Sequence, residues 1–141
     1  MTVHRLYRFC ASHRLHVPAF SDEKNAELFG KCNNPFGHGH NYELEVSVRG
    51  PVDESTGRTV DRAALDQLVH RVVVERYDHR YLNAELPEFA DQVPTTENLG
   101  KHIEAVLSEN WSATFPGEWP KLQRIRISET ERNTFEVAAA G

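Results

Sequence analysis

Hydrophobic residues along the chain recur with two periods, and the switches between them mark its elements. From Val3 to Leu15 apolar and aromatic residues roughly alternate with polar ones, which predicts a first strand. Ser21 in the position of an N-cap and Gly30 in that of a C′ glycine bracket a short predicted helix, Asp22 to Phe29. Lys31 to Gly39, with Asn33-Asn34-Pro35 and two glycines, reads as a turn-rich loop. A second strand, His40 to Arg49, alternates cleanly. Tyr42, Leu44, Val46 and Val48 share one face, and Asn41, Glu43, Glu45, Ser47 and Arg49 share the other, before Gly50-Pro51 ends it. The period then becomes helical. Asp61 caps a helix to about Arg76 with an apolar stripe of Leu65, Leu68, Val69, Val72 and Val73. Pro94 precedes a helix capped by Thr95 or Thr96, in which Leu99, Ile103, Val106 and Leu107 recur. Leu122 to Glu129 is a third strand, Thr130 to Asn133 a turn, and Thr134 to Val137 a fourth strand.

Strands grouped at the two ends around paired helices predict an α+β domain: a four-stranded antiparallel sheet with two helices on one face. Such a sheet has two open edges, which invite pairing with other chains. The length of 141 residues fits one domain, residues 1–141. At 39% hydrophobic and 26% charged, the composition excludes an acidic disordered chain or a fibrous repeat. No apolar run reaches the ~20 residues that span a bilayer. A net charge of −5 argues against nucleic acid as the main partner. The opening Met1-Thr2-Val3-His4-Arg5 lacks the features of a signal peptide. The two cysteines, Cys10 and Cys32, are therefore expected as free thiols in a reducing, cytoplasmic compartment.

Eight histidines are the unusual count. His38 and His40 enter a strand two residues apart and share parity with Tyr42 and Leu44, so both imidazoles face inward. Paired inward imidazoles need partners, and a zinc ion satisfies them, with three protein ligands and an open position in a catalytic site. His13, in phase with Tyr7 and Phe9, is the candidate third ligand, with His16 as its competitor. Cys32 could serve as a base or nucleophile if a nearby cation lowers its pKa, could be a fourth ligand, or could be an ordinary loop cysteine. Asp78-His79 could form a proton relay or be a solvated pair at a helix end. Glu129 shares the apolar face of Ile125 and Ile127, where a carboxylate needs either a salt bridge or a ligand with two adjacent N–H donors.

Taken together, these residues resemble the 6-pyruvoyl-tetrahydropterin synthase family. The resemblance rests on the stretch from Phe29 to Tyr42, which contains Gly30-Lys31-Cys32-Asn33-Asn34-Pro35-Phe36-Gly37-His38-Gly39-His40. Phe9-x-Ala11-x-His13, Asp78-His79-Arg80-Tyr81-Leu82-Asn83, Pro94-Thr95-Thr96-Glu97-Asn98 and Glu129-Thr130 follow the family's other blocks in order. The resemblance implies a tunnelling (T-fold) domain whose sheets pool into an oligomeric barrel, two trimers forming a homohexamer with active sites between subunits. It implies zinc on His13, His38 and His40, Cys32 as general base, Asp78 and His79 as relay, and Glu129 as anchor of the pterin ring. The implied substrate is 7,8-dihydroneopterin triphosphate, with magnesium as a possible companion of the triphosphate. Arg14, Lys31 and Arg126 are basic candidates for phosphate contact. Two alternatives stand beside this reading. One is the 6-carboxy-tetrahydropterin synthase branch of queuosine biosynthesis, although the five residues between Cys32 and His38 favour the pyruvoyl branch. The other is a non-enzymatic zinc-stabilised or redox-sensing domain. Cys32 argues against a branch that carries glutamate in its place.

Overall fold

The strand with the cleanest alternation becomes the centre of the sheet. In the computed structural model of the chain, β2 (His38–Arg49) buries Tyr42, Leu44, Val46 and Val48 and is flanked on both sides. β1 (Thr2–His13) pairs with it antiparallel along its whole length, from Thr2 opposite Arg49 to His13 opposite His38. β4 (Lys121–Thr130) pairs antiparallel on the other side, with a bulge at Ser47/Val48, and β5 (Asn133–Ala138) pairs antiparallel with β4. The structure describes residues 1–35, 37–130 and 133–139; Phe36 of the loop motif, Glu131 and Arg132 of the expected turn, and the tail residues Ala140 and Gly141 lie outside the described residues.

The four expected antiparallel strands are joined by a fifth. β3 (Arg80–Tyr81) runs parallel to β1 beside Ala11 and Ser12, so the sheet order is β3-β1-β2-β4-β5. Two residues are too short to carry an alternating pattern, so periodicity cannot reveal them. Beyond β3, the outer edge of β1 and that of β5 carry no further strand among the described residues.

One face of the sheet is covered by helices. α1 (Asp22–Phe29) has Ser21 as N-cap, its hydroxyl accepting from Lys24 N. α2 (Arg62–Val69) continues through a π-helical turn, His70–Val74, into α3 (Glu75–Tyr77). The wider turn keeps Val72, Val73 and, beyond it, Tyr77 on the buried side. After α4 (Leu82–Glu85), the long α5 (Thr96–Thr114) packs Leu99, Ile103 and Leu107 against Ile125 and Ile127 of β4. Gly100 sets that approach: a Cβ there would stand 3.2 Å from Ile127 Cγ2. No helix among the described residues is long and apolar enough to cross a membrane.

β1 is tied to α2 by a small polar cluster. Arg5 Nη2 and the Tyr7 hydroxyl each donate to the Asp66 carboxylate at 2.6 Å. Burial alone would raise the Asp66 carboxyl, but the hydrogen bonds from Arg5 and Tyr7 outweigh it and hold it below its ordinary value. A carboxyl depressed by folding stabilises above its unfolded pKa of about 3.9, and that contribution is lost as the pH falls through the lower folded value. Asp66→Asn is therefore expected to cost about 1 kcal/mol at neutral pH, since the group is partly exposed. That corresponds to a drop of about 4 °C in melting temperature. The deficit relative to the parent should shrink as melting curves are taken below about pH 4; a deficit that persists unchanged in acid would exclude the charge as its origin.

Candidate metal centre and active site

Three strands and one turn deliver their side chains to the same end of the sheet. His13 closes β1 on the buried face shared by Phe9 and Ala11, and His40 opens β2 on the face of Tyr42 and Leu44. Glu129 stands near the end of β4 in phase with Ile125 and Ile127. Cys32 comes from the 3₁₀ turn Gly30–Asn33 that follows α1. Gly37 makes the return into β2 possible. Its φ of +78° suits glycine, and a Cβ would meet His13 O and Tyr81 Cε1 at 3.1 Å.

His13 is fully buried. Its Nδ1–H donates to Pro94 O at 2.8 Å, with the Tyr42 hydroxyl 3.3 Å from the same nitrogen. That bond fixes the tautomer, leaving the lone pair on Nε2, which is buried without a hydrogen-bond partner. Burial lowers the His13 pKa, and the His40 charge lowers it further, so the ring is held neutral. His40 Nε2 donates to Glu129 Oε1 at 2.8 Å, and Thr96 Oγ1 donates to Glu129 Oε2 at 2.5 Å. The His40 bond leads in holding the Glu129 carboxyl down at about 2; burial opposes this, and the Thr96 bond supports it. Glu129 is therefore ionised at neutral pH although its side chain is only 13% exposed. Cys32 Sγ lies 3.6 Å from His40 Nε2. Burial and then the Glu129 charge push this thiol up, not down. The cation that would lower it is one this group of side chains could itself hold.

The ligating atoms of His13, Cys32, His40 and Glu129 lie within 4.8 Å of one another, and the group could hold a metal ion. The donor chemistry fits: a neutral buried imidazole with an orphaned lone pair, a second imidazole, a thiol and a carboxylate. The Pro94 carbonyl on Nδ1 supplies the outer hydrogen bond that orients a metal-binding histidine. His38, expected to face inward with His40, is instead exposed and outside this four-atom group, because it is the first residue of β2, where the sheet ends and nothing among the described residues covers it; its ring centroid is 4.7 Å from that of His40, the same spacing as between His40 and His13.

The other sequence candidates take different places. Asp78 caps α3, its carboxylate accepting from Cys10 N at 2.8 Å and lying 2.9 Å from His79 Nδ1. Adjacent residues on a strand face apart, yet these two meet directly because His79 adopts the left-handed backbone, φ +58°. The Cys10 bond, ahead of the His79 bond, holds the Asp78 carboxyl below its ordinary value. The His79 side chain is 81% exposed, at the β1 edge. Among the described residues no hydrogen bond or ion pair links Asp78 or His79 to the four-residue group. His16 contacts Asn33 and is not in the group. Arg126 pairs with Glu136, whereas Arg14 Nε donates to Asn33 O at 3.3 Å, beside Cys32. Both cysteines are free; Cys10 is exposed and donates to Asn41 Oδ1. The capping pattern alone offers Thr96 only as an alternative cap to Thr95. Thr95 is the cap, accepting from Asn98 N, which frees the Thr96 hydroxyl for Glu129. Nor did a pattern point to Pro94 O, a backbone atom 81 positions from His13.

Comparison with known proteins gives the family of the chain. The model of the family described as 6-pyruvoyl tetrahydropterin synthase matches residues 2–140. The 6-pyruvoyl tetrahydrobiopterin synthase of Poecilia reticulata is 44% identical over 92% of this chain and 84% of its own length. That of Homo sapiens is 40% identical over 93% of this chain and 86% of its own. The solved structure of Caenorhabditis elegans 6-pyruvoyl tetrahydropterin synthase superimposes with a TM-score of 0.86 at 36% identity, covering 99% of this chain and 96% of that one.

Gly37 offers a direct check on the geometry. Gly37→Ala places a Cβ against His13 O in a left-handed conformation, a cost of about 1–3 kcal/mol. The variant should melt at a lower temperature and, by displacing the start of β2 from His13, retain less metal per chain by elemental analysis. Unchanged melting and metal content would show that the loop does not hold the two histidines in register.

Proposed function

The chain belongs to the 6-pyruvoyl tetrahydropterin synthase family, and we propose that it converts 7,8-dihydroneopterin triphosphate to 6-pyruvoyl-tetrahydropterin, eliminating triphosphate. The observation that carries this reading is the Cys32 thiol 3.6 Å from His40 Nε2, within a group that contains the orphaned His13 Nε2 and a recessed, ionised Glu129. A base, a cation-binding set and an acceptor for an N–H edge are what the reaction requires.

In this reading His13 and His40, together with His38 beside His40, would hold a zinc ion. Zinc, when bound, supplies Lewis-acid polarisation of the side-chain hydroxyls. Glu129, fixed by Thr96, accepts the paired N–H donors of the pterin and fixes the ring's orientation. Cys32 then removes a carbon-bound proton from the side chain as triphosphate leaves. Two protons and two electrons pass from side chain to ring, so no external oxidant or reductant is needed. Asp78 orients His79 through the Nδ1 bond, leaving Nε2 to carry a proton. Because that dyad sits at the β1 edge, it serves the site of a neighbouring copy, with the open edges closing into a hexamer of pooled sheets. Arg14 and Lys31 flank Cys32 and are the preferred phosphate contacts, with magnesium accompanying the triphosphate. The two free thiols suit a reducing compartment such as the cytoplasm.

Mass analysis after incubation with dihydroneopterin triphosphate should show the pyruvoyl product. A carboxy product would move the chain to the sister activity, and no turnover by metal-replete protein would overturn the enzyme reading. Cys32→Ala should reduce kcat by about 10²–10⁴-fold while bound metal is retained; loss of metal instead would make Cys32 a ligand. His38→Ala should release metal. A full complement in that variant would favour the set His13, Cys32, His40 and Glu129 and return Glu129 from anchor to ligand.

A further inference from the structure

Cys32 sits in a single 3₁₀ turn, an element with poor hydrogen-bond geometry that does not hold a side chain accurately by itself. What holds it is the chain just beyond β1. Leu15 N donates to Cys32 O at 2.7 Å, and Asn33 Nδ2 donates back to Leu15 O at 2.9 Å. Both backbone groups of Leu15 are thus occupied by residues 32 and 33, like one rung of a sheet in which a side-chain amide replaces a strand. Asn33 Nδ2 also donates to His16 Nδ1 at 3.0 Å, and Asn33 O accepts from Arg14 Nε. Leu15 lies two residues beyond His13, so the clamp registers the thiol turn against the strand that ends in the buried imidazole.

A second asparagine provides a contrast. Asn83 brackets Arg14 in the same manner, Arg14 N donating to Oδ1 at 2.7 Å and Nδ2 donating to Arg14 O at 2.8 Å. It ties the segment to α4, and among the described residues its hydrogen bonds go to Arg14 and none to the thiol turn. One amide therefore belongs to the thiol turn and ties it to Leu15, whereas the other reaches the segment from α4.

We propose that Asn33 is a positioning residue for Cys32, its side-chain amide locking the 3₁₀ turn to Leu15 so that the thiol is held beside His40. The proposal rests on the reading of Cys32 as the base, and its test includes a measurement that does not depend on turnover. In a Cys10→Ser background Cys32 is the sole thiol. Asn33→Ala is expected to raise the rate of Cys32 alkylation by iodoacetamide about fivefold, the factor that loss of one hydrogen bond corresponds to. It should lower kcat by about five- to tenfold with KM within about twofold, since orientation rather than binding is lost. Asn83→Ala should lower the melting temperature yet leave alkylation and kcat within about twofold. Should Asn33→Ala fail to fold, Asn33→Gln, which carries the amide one methylene farther out, supplies the same two readouts. Unchanged alkylation in the Asn33 variant, or equal changes in the Asn83 variant, would overturn the proposal. If the parent chain turns over no pterin, the functional reading fails while the alkylation comparison still decides the role of Asn33.

Discussion

A carboxylate on the apolar face of a sheet must be neutralised or it destabilises the fold, and the end of this sheet is organised around that requirement. Leaving Glu129 buried and unpaired would cost several kcal/mol. Instead His40 and Thr96 each take one of its oxygens. Those two bonds join β2, β4 and the first turn of α5 at one point. Near that helix start the carboxylate also meets the positive end of the backbone dipole. The helix can come that close because Gly100 presents no side chain to Ile127. The site and the packing of α5 on the sheet are therefore one problem: a residue that pushed the helix outward would remove the Thr96 donor before it touched any reacting group.

The same helix start reaches the other imidazole. Pro94, two residues before α5, accepts from His13 Nδ1 through its carbonyl, and this selects which nitrogen of His13 carries the lone pair. A buried imidazole with one nitrogen satisfied and the other orphaned is costly as an isolated structural feature. It is explicable as a ligand whose orientation is prepared before its ion arrives. The connection preceding α5 thus orients the buried imidazole of β1 while its first turn orients a carboxylate of β4. A shift of this helix would be felt at both.

Much of this was legible in alternation alone. The phase of Phe9, Ala11 and His13, of His40, Tyr42 and Leu44, and of Ile125, Ile127 and Glu129 places the three side chains on one face, and the structure brings them together there, whereas His38, in the same phase at the first residue of β2, is exposed. Local patterns also marked α1 with its Ser21 cap and the apolar stripe of α5. What escaped was non-local or made by single side chains. The two-residue β3 has no period. The π turn at His70–Val74 leaves the apolar stripe looking like an ordinary helix. The direct Asp78–His79 contact depends on a left-handed residue that is not glycine. Asn25, fully buried, accepts from Val17 N and donates to Val17 O, organising the turn before α1 as Asn33 and Asn83 organise the segment after β1. An asparagine in a loop pattern reads as a turn former, and only the folded chain shows which backbone groups it replaces.

Two kinds of precision meet at this site, and they come from different sources. The imidazoles of His13 and His40 stand on the long paired strands β1 and β2, whose register sets their spacing, whereas Glu129, one residue beyond the last β2–β4 pair, is fixed by His40 and Thr96. The thiol and the Asp78–His79 dyad stand on short turns, and each is held by borrowing hydrogen bonds from β1 or the chain just beyond it. Cys32 borrows from Leu15, and Asp78 and His79 from the backbone of Cys10. β1 and the chain just beyond it are thus the common reference for the thiol, for Asp78 and for His79. In the proposed assembly the outer edge of β1 would lie against another chain. Closing the barrel would then set the dyad of one copy relative to the thiol of the next, because both are measured from the same strand.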